Sequence, residues 1–350
     1  MKTKADTAKG TRIWYWDILR IAAMVFLVIR HSATATFEFV PALSVNWWWC
    51  NVYGSLAAWM VPVFMMISGA SFLDPGRNVT IGRLYRKNIL KMLIVFAFWS
   101  VFYACYNLIS GQGKPQELAQ MLIGGHFHLW FLPMIIGMYM LTPLLRTVTG
   151  NMRTVIYITV VTGILGVVIP FLQDLEIFVD NTVLTGTHNI GMVSAYVCFF
   201  FLGYLLHNIK IKKSARITIY TVGIIATFIV FFGTYALTVR DAYHNEDMQT
   251  DNNLFTALQG VAIFVFAKQY YKNKSFTEKG KKLILEISGL TFGVYMIHVV
   301  FLALLDKFGF SPVTYPSVYI IPMLIMFVLP LSFLMSGLIK KIPFLGKHII

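Results

Sequence analysis

Apolar stretches of about 20 residues, the length needed to cross a bilayer, recur along almost the whole chain, each bounded by charge, Gly, Pro or a polar cluster. They fall near 14–33, 52–74, 88–110, 129–147, 154–173, 191–208, 216–238, 253–271, 283–305 and 316–340. The pattern predicts an all-α, polytopic transmembrane helix bundle of about ten spans, because lipid offers backbone polar groups no partner outside a helix or a closed barrel. Spans of that length and short connections fill the 350 residues. A single membrane-embedded domain over 1–350 is therefore expected, without an appended soluble one.

Composition agrees: 57% of residues are hydrophobic and 13% charged, with mean hydropathy +0.69, against roughly 25% charged in a soluble chain. The net charge of +14 would suit nucleic acid, but no basic helix or aromatic RNA-binding motif accompanies it, and no nucleic-acid partner is expected. Its distribution explains it better. With the N-terminus in the cytoplasm, 24 of the 29 basic residues fall on inner segments, from Lys2, Lys4, Lys9 and Arg12 to Lys340, Lys341 and Lys347. The outer loops hold only Lys114, Arg240 and Lys307, with ten of the fifteen acids, among them Asp174, Glu176, Asp180, Asp241, Glu246, Asp247 and Asp251. Every loop obeys the positive-inside rule, so both termini are expected in the cytoplasm. The basic N-terminus followed by an apolar run resembles a signal peptide, yet Asp17 and Arg20 inside that run predict a retained first helix. Trp47, Trp48 and Trp49 read as an outer aromatic belt. Cys50, Cys105 and Cys198 lack a CxxC pair and read as ordinary buried thiols.

The first span carries charges that lipid should not tolerate: Asp17, Arg20, Arg30 and His31 within WYWDILRIAAMVFLVIRHS. Ionisable groups inside a membrane are functional candidates. The eleven-residue step from Arg20 to His31 is close to three helical turns, so both share a face, with Asp17 nearly in line and His31 roughly 16 Å further out. The plainer alternative is an interfacial Asp17–Arg20 pair and a satisfied helix-end histidine. Arg30 lies about 100° off this track and reads as an arginine snorkelling outward. In the second span, Ser68 and Gly69 of PVFMMISGASFL mark a close approach, of a ligand or of another helix. Arg83 and Arg86, one turn apart beside Lys87 and Lys91, suit either phosphate or anionic lipid headgroups. On the outer side stand His126, His128 and Trp130 in GGHFHLWFLP, and His298 in GVYMIHVVF. The HxH pair has no evident third ligand, so no metal is expected.

These residues resemble the acyltransferase-3 family of integral membrane acyltransferases, especially its WecH-type O-acetyltransferases. The most specific element is an Arg-x10-His in the first helix, here Arg20 to His31. Supporting elements are VPVFMMISGASF, the RxxR of Arg83 and Arg86, FHLWFLPMIIGMYMLTPLLR and FGVYMIH. Arg20 is followed by Ile21 where the family usually has Gly. The resemblance implies transfer of an acyl group, usually acetyl from cytosolic acetyl-CoA, to a hydroxyl of a surface glycan or its lipid-linked precursor at a bacterial cytoplasmic (inner) membrane. It implies that His31 is essential, as general base or acyl carrier, and that Arg20, Arg83 and Arg86 serve activity or CoA binding. In outline, Arg83 and Arg86 would hold CoA phosphates, the pantetheine arm would pass Ser68, and Asp17 would orient Arg20. His128, Trp130 and His298 would lie on the acceptor side. A transporter or flippase for a lipid-linked sugar or small metabolite is the competing class, since buried polar residues also mark transport paths; no inverted repeat is visible.

Overall fold

The computed structural model describes residues 12–35, 37–77, 79–111, 113–175 and 188–350. The basic residues Lys2, Lys4 and Lys9 and the acids Glu176 and Asp180 lie outside them. The described residues form an all-helical bundle: α1 (Trp14–Thr34), α2 (Val45–Ala57), α3 (Met60–Phe72), α4 (Ile81–Ser110), α5 (Phe131–Arg146), α6 (Met152–Asp174), α7 (Gly191–Asn208), α8 (Lys213–Asp241), α9 (Leu254–Tyr271), α10 (Glu278–Ser288), α11 (Thr291–Lys307) and α12 (Ser317–Lys341). Eight of the described helical stretches are long and apolar enough to cross a membrane, and the bent pair α10–α11 makes a ninth. α9 occupies the remaining expected span. Gln259, Lys268 and Gln269 dilute its apolar character, and protein surrounds much of it: Gln259 and Lys268 are buried and bonded to backbone carbonyls.

Side-chain contacts sort the helix ends into two sets, as alternating crossings require. At one end Arg146 bonds the carbonyls of Phe72, Asp74 and Arg77, Lys268 those of Leu206 and Ile209, and Lys91 that of Ile350. These cations satisfy carbonyls left open at helix termini. At the other end Asn46 bonds the carbonyls of Pro312 and Tyr315, and Arg240 that of Asp174. The first end carries the basic segments and is the cytoplasmic one by the positive-inside rule.

Four sequence expectations change. The second span starts at Val45 rather than 52 and is broken at Ala58 and Trp59 into α2 and α3. The tryptophan triplet is consequently inside a helix: Trp47 is buried, donating to His244 at 3.1 Å, Trp48 stacks on Tyr235, and only Trp49 is exposed. The ninth span does not run straight from 283. α10, with Lys279, Lys281, Lys282 and Glu286 on it, is too polar to cross and meets α11 at 50°. Of the cysteines, Cys50 and Cys198 are buried, but Cys105 is exposed on α4.

α1 is the central helix, touching α2, α3, α9, α10, α11 and α12. Protein on so many sides is why charges persist along it. α3 and α7 approach just as closely. A Cβ at Gly69 would stand 1.8 Å from the carbonyl oxygen of Phe200, and one at Gly203 2.0 Å from that of Met66. The approach that Gly69 marks is thus helix against helix.

Candidate active site

A cavity of about 700 Å³ runs beside α1 from Arg20, Ser71 and Phe72 near the cytoplasmic end to Ala35, Glu38 and Asp251 at the outer end. Its middle is apolar, walled by Met24, Leu27, Met60, Val61, Ile67 and Ile135. Helical periodicity accounts for the wall that α1 supplies: Arg20, Leu27, His31 and Thr34 follow one another at seven-, four- and three-residue steps, with Met24 between.

His31 lines this cavity, and its Nδ1 lies 2.7 Å from Nε2 of His298. His298 is fully buried behind it and does not reach the cavity. The hydrogen-bond network assigns the tautomers. Nδ1 of His298 faces the carbonyl oxygens of Val294 and Tyr295 at 3.1 and 2.9 Å. Carbonyl oxygens only accept, so that nitrogen holds the proton and Nε2 of a neutral His298 accepts. His31 then donates through Nδ1, which leaves a lone pair on its Nε2. Such a nitrogen is suited to abstract a proton or attack a carbonyl carbon, and a histidine held through its other ring nitrogen is fixed in both tautomer and orientation.

At the cytoplasmic end Arg20 donates to Asp17 at 3.2 Å and lies within 3.4 Å of Ser288. Asp17 is 4% exposed, accepts two bonds from Arg12 and one from Ser288, and does not line the cavity. Its hydrogen bond to Arg20 is the link through which it bears on the cavity. Ser68 lines the cavity but donates to the Phe64 carbonyl of its own helix. Arg83 and Arg86 are exposed at the cytoplasmic start of α4, Arg83 just before a π-helical turn and Arg86 within it, and are not part of the cavity wall. His128 and Trp130 do line it. His126 and His128 face each other through Nδ1 at 3.0 Å, while Nε2 of buried His128 has no hydrogen-bond partner. The described residues hold no group of three His, Cys, Asp or Glu placed to bind a metal.

Several wall residues read differently from sequence, or carried no functional reading there. Arg30 does not snorkel outward: it lines the cavity and donates to the Gly54 carbonyl and to Oε1 of Gln249, both at 3.4 Å. With α1 enclosed by neighbours, even a residue 100° off the main track faces protein. Glu38, Phe127, Asp251 and Tyr295 also line it. Asp251 and Glu38 read from sequence only as outer-loop charge: Asp251 is 220 residues from His31, and Glu38 lies beyond the end of α1 in the short helical turn Phe37–Phe39.

Asp251 sits in the loop between α8 and α9, outside the spans. Burial pushes its carboxyl up to about 6, against the pull of the Arg30 guanidinium. A carboxyl whose folded value exceeds its unfolded one binds protons more tightly when folded, so stability falls as pH rises through about 4 to 6. Asp251→Asn should therefore melt a few degrees above wild type at pH 7.5 in detergent, and that advantage should shrink as pH falls below about 6. A pH-independent difference would contradict this account.

Sequence comparison bears on this geometry. The acyltransferase-3 family model, described as an acyltransferase domain, matches residues 13–337. No curated protein and no solved structure matches the chain.

Proposed function

We propose, from the premise that the chain belongs to the acyltransferase-3 family of membrane acyltransferases, that it is an O-acetyltransferase of a bacterial cytoplasmic membrane. It moves acetyl from cytosolic acetyl-CoA to a hydroxyl of a cell-surface polysaccharide or its lipid-linked precursor. The observation that carries this reading is His31, hydrogen-bonded at 2.7 Å to His298, inside a cavity that reaches from Arg20 to Glu38 and Asp251.

The donor enters from the cytoplasmic end, its pantetheine arm against the apolar middle wall and its thioester toward His31. Nε2 of His31 takes the proton of the acceptor hydroxyl as the oxygen attacks the thioester carbon. The C–S bond then breaks, the acetyl group remains on the acceptor oxygen, and the departing CoA thiolate recovers the proton from His31. Arg20, ordered by Asp17, sits where it can meet the donor. The nucleotide, too polar for the cavity, stays outside the membrane, where Arg83 and Arg86 offer forked donors to its phosphates.

The test is transfer of radiolabelled acetyl from acetyl-CoA to crude envelope glycan by the purified protein in nanodiscs. Label in the glycan supports the reading. A folded protein that neither binds nor consumes acetyl-CoA overturns it and turns attention to flux assays in liposomes. In the same assay, Arg83→Ala with Arg86→Ala should raise KM for acetyl-CoA about tenfold or more, with a smaller effect on kcat. An unchanged KM would leave the two arginines with a topological role alone.

A further inference from the structure

The outer end of the cavity combines groups that neither donor chemistry nor proton transfer requires. Asp251 and Glu38 present carboxylates there, and neither has a hydrogen-bond or ion-pair partner within 4.0 Å among the described residues. Arg30 is the cation nearest Asp251 in effect, but its guanidinium already serves the Gly54 carbonyl and Gln249. Gln249 is held in turn by Asn51, so the loop carrying Asp251 is pinned to α2. Two partly exposed aromatic side chains line the same cavity as the carboxylates. Phe127 packs edge-on to His31 with ring centroids 5.6 Å apart and is 56% exposed; Trp130 lies against Tyr196 and is 36% exposed. Buried His128 adds a ring nitrogen with no partner to the same wall.

We infer that this outer end is an acceptor subsite for an uncharged sugar unit, with Asp251 and Glu38 accepting hydrogen bonds from its hydroxyls and Phe127 and Trp130 stacking on its apolar ring face. The inference rests on the O-acetyltransferase reading and adds the class of acceptor to it. Carboxylates accept hydroxyl hydrogen bonds strongly, and an aromatic platform suits a ring that is polar at its rim and apolar on its faces. Two carboxylates against one committed guanidinium leave the subsite net negative, so a uronic acid or a phosphorylated sugar would be repelled. An apolar alcohol would offer neither half-buried Asp251 nor exposed Glu38 a donor, while excluding the water that now serves them. With a sugar stacked on Phe127, a hydroxyl at its rim comes within reach of His31.

The experiment compares wild type, Asp251→Asn and Glu38→Gln in nanodiscs, with acetyl-CoA as donor and two probes: a neutral oligosaccharide and its uronic-acid counterpart. Asp251→Asn should raise KM for the neutral oligosaccharide about tenfold relative to KM for acetyl-CoA, although the variant is the more thermostable protein. Wild type should use the uronic-acid probe at least tenfold less efficiently. Glu38, exposed on the outer rim, supplies a second variant with the same direction of effect should Asp251→Asn fold poorly. An acceptor KM unchanged in both variants, or equal use of the two probes by wild type, overturns the inference while leaving the transferase reading intact. Failure of wild type to acetylate any glycan overturns the transferase reading itself.

Discussion

Replacing His31 with alanine is expected to lower acyl transfer about 100- to 10,000-fold, the range that a positioned general base supplies, while the protein still inserts, folds and elutes as wild type. The side chain lines a cavity, so its removal enlarges an existing space rather than opening a void in a packed core. His298 acts one step behind. His298→Leu removes the acceptor that fixes the His31 tautomer and should cost about 10- to 100-fold, as loss of an orienting partner does. Because both variants disable one device, the double variant should be no slower than His31→Ala alone. Normal transfer by His31→Ala would end the assignment. Additive losses in the double variant would separate His298 from His31 and return it to packing.

The second large effect is on assembly. Gly69→Val should cost about 3 kcal/mol or more of stability, because its first added carbon would stand 1.8 Å from a carbonyl oxygen of α7, which cannot rotate away as a side chain would. Gly203, facing Met66 in the same way, blocks any slide of one helix along the other. The readout is folded yield and melting temperature in detergent. Gly137→Ala on α5 is the control, since an added Cβ there meets nothing within 4 Å. A Gly69→Val protein as stable as wild type would show that α3 and α7 do not pack as described.

Much of this architecture was legible in sequence because lipid imposes a strong rule: each crossing needs a run of apolar residues, and cations collect on one side. Nine of the expected spans coincide with long apolar helices or the bent pair, and the tenth with α9. The failures came where protein, not lipid, surrounds the chain. Trp47 and Trp48 look like belt residues by composition but are packed inside, and Arg30 looks outward only if one side of α1 faces solvent or lipid. For the site, the spacing of Arg20 and His31 sufficed because one helix carries both. His298, 267 residues from His31, was legible only as another polar group at the same outer depth, because sequence says nothing of which helices are neighbours. Asp251 gave no signal, since a loop aspartate on the outer face is what the charge rule already expects.

A bundle with a passage along much of its length is under a constraint that a transferase in solution never meets: it must not short-circuit the membrane that holds it. The apolar girdle of Met24, Leu27, Met60, Val61 and Ile67, set between Arg20 on one side and His31 on the other, answers that need. Apolar walls disfavour water, and a dewetted stretch stops ions as a closed gate does. Under the proposed function the long neutral arm of a thioester would thread it, whereas a hydrated proton or sodium ion would lose its shell on entry. The apolar residues lining the cavity would thus also insulate one compartment from the other, and polar substitutions among them should discharge ion gradients before they impair chemistry.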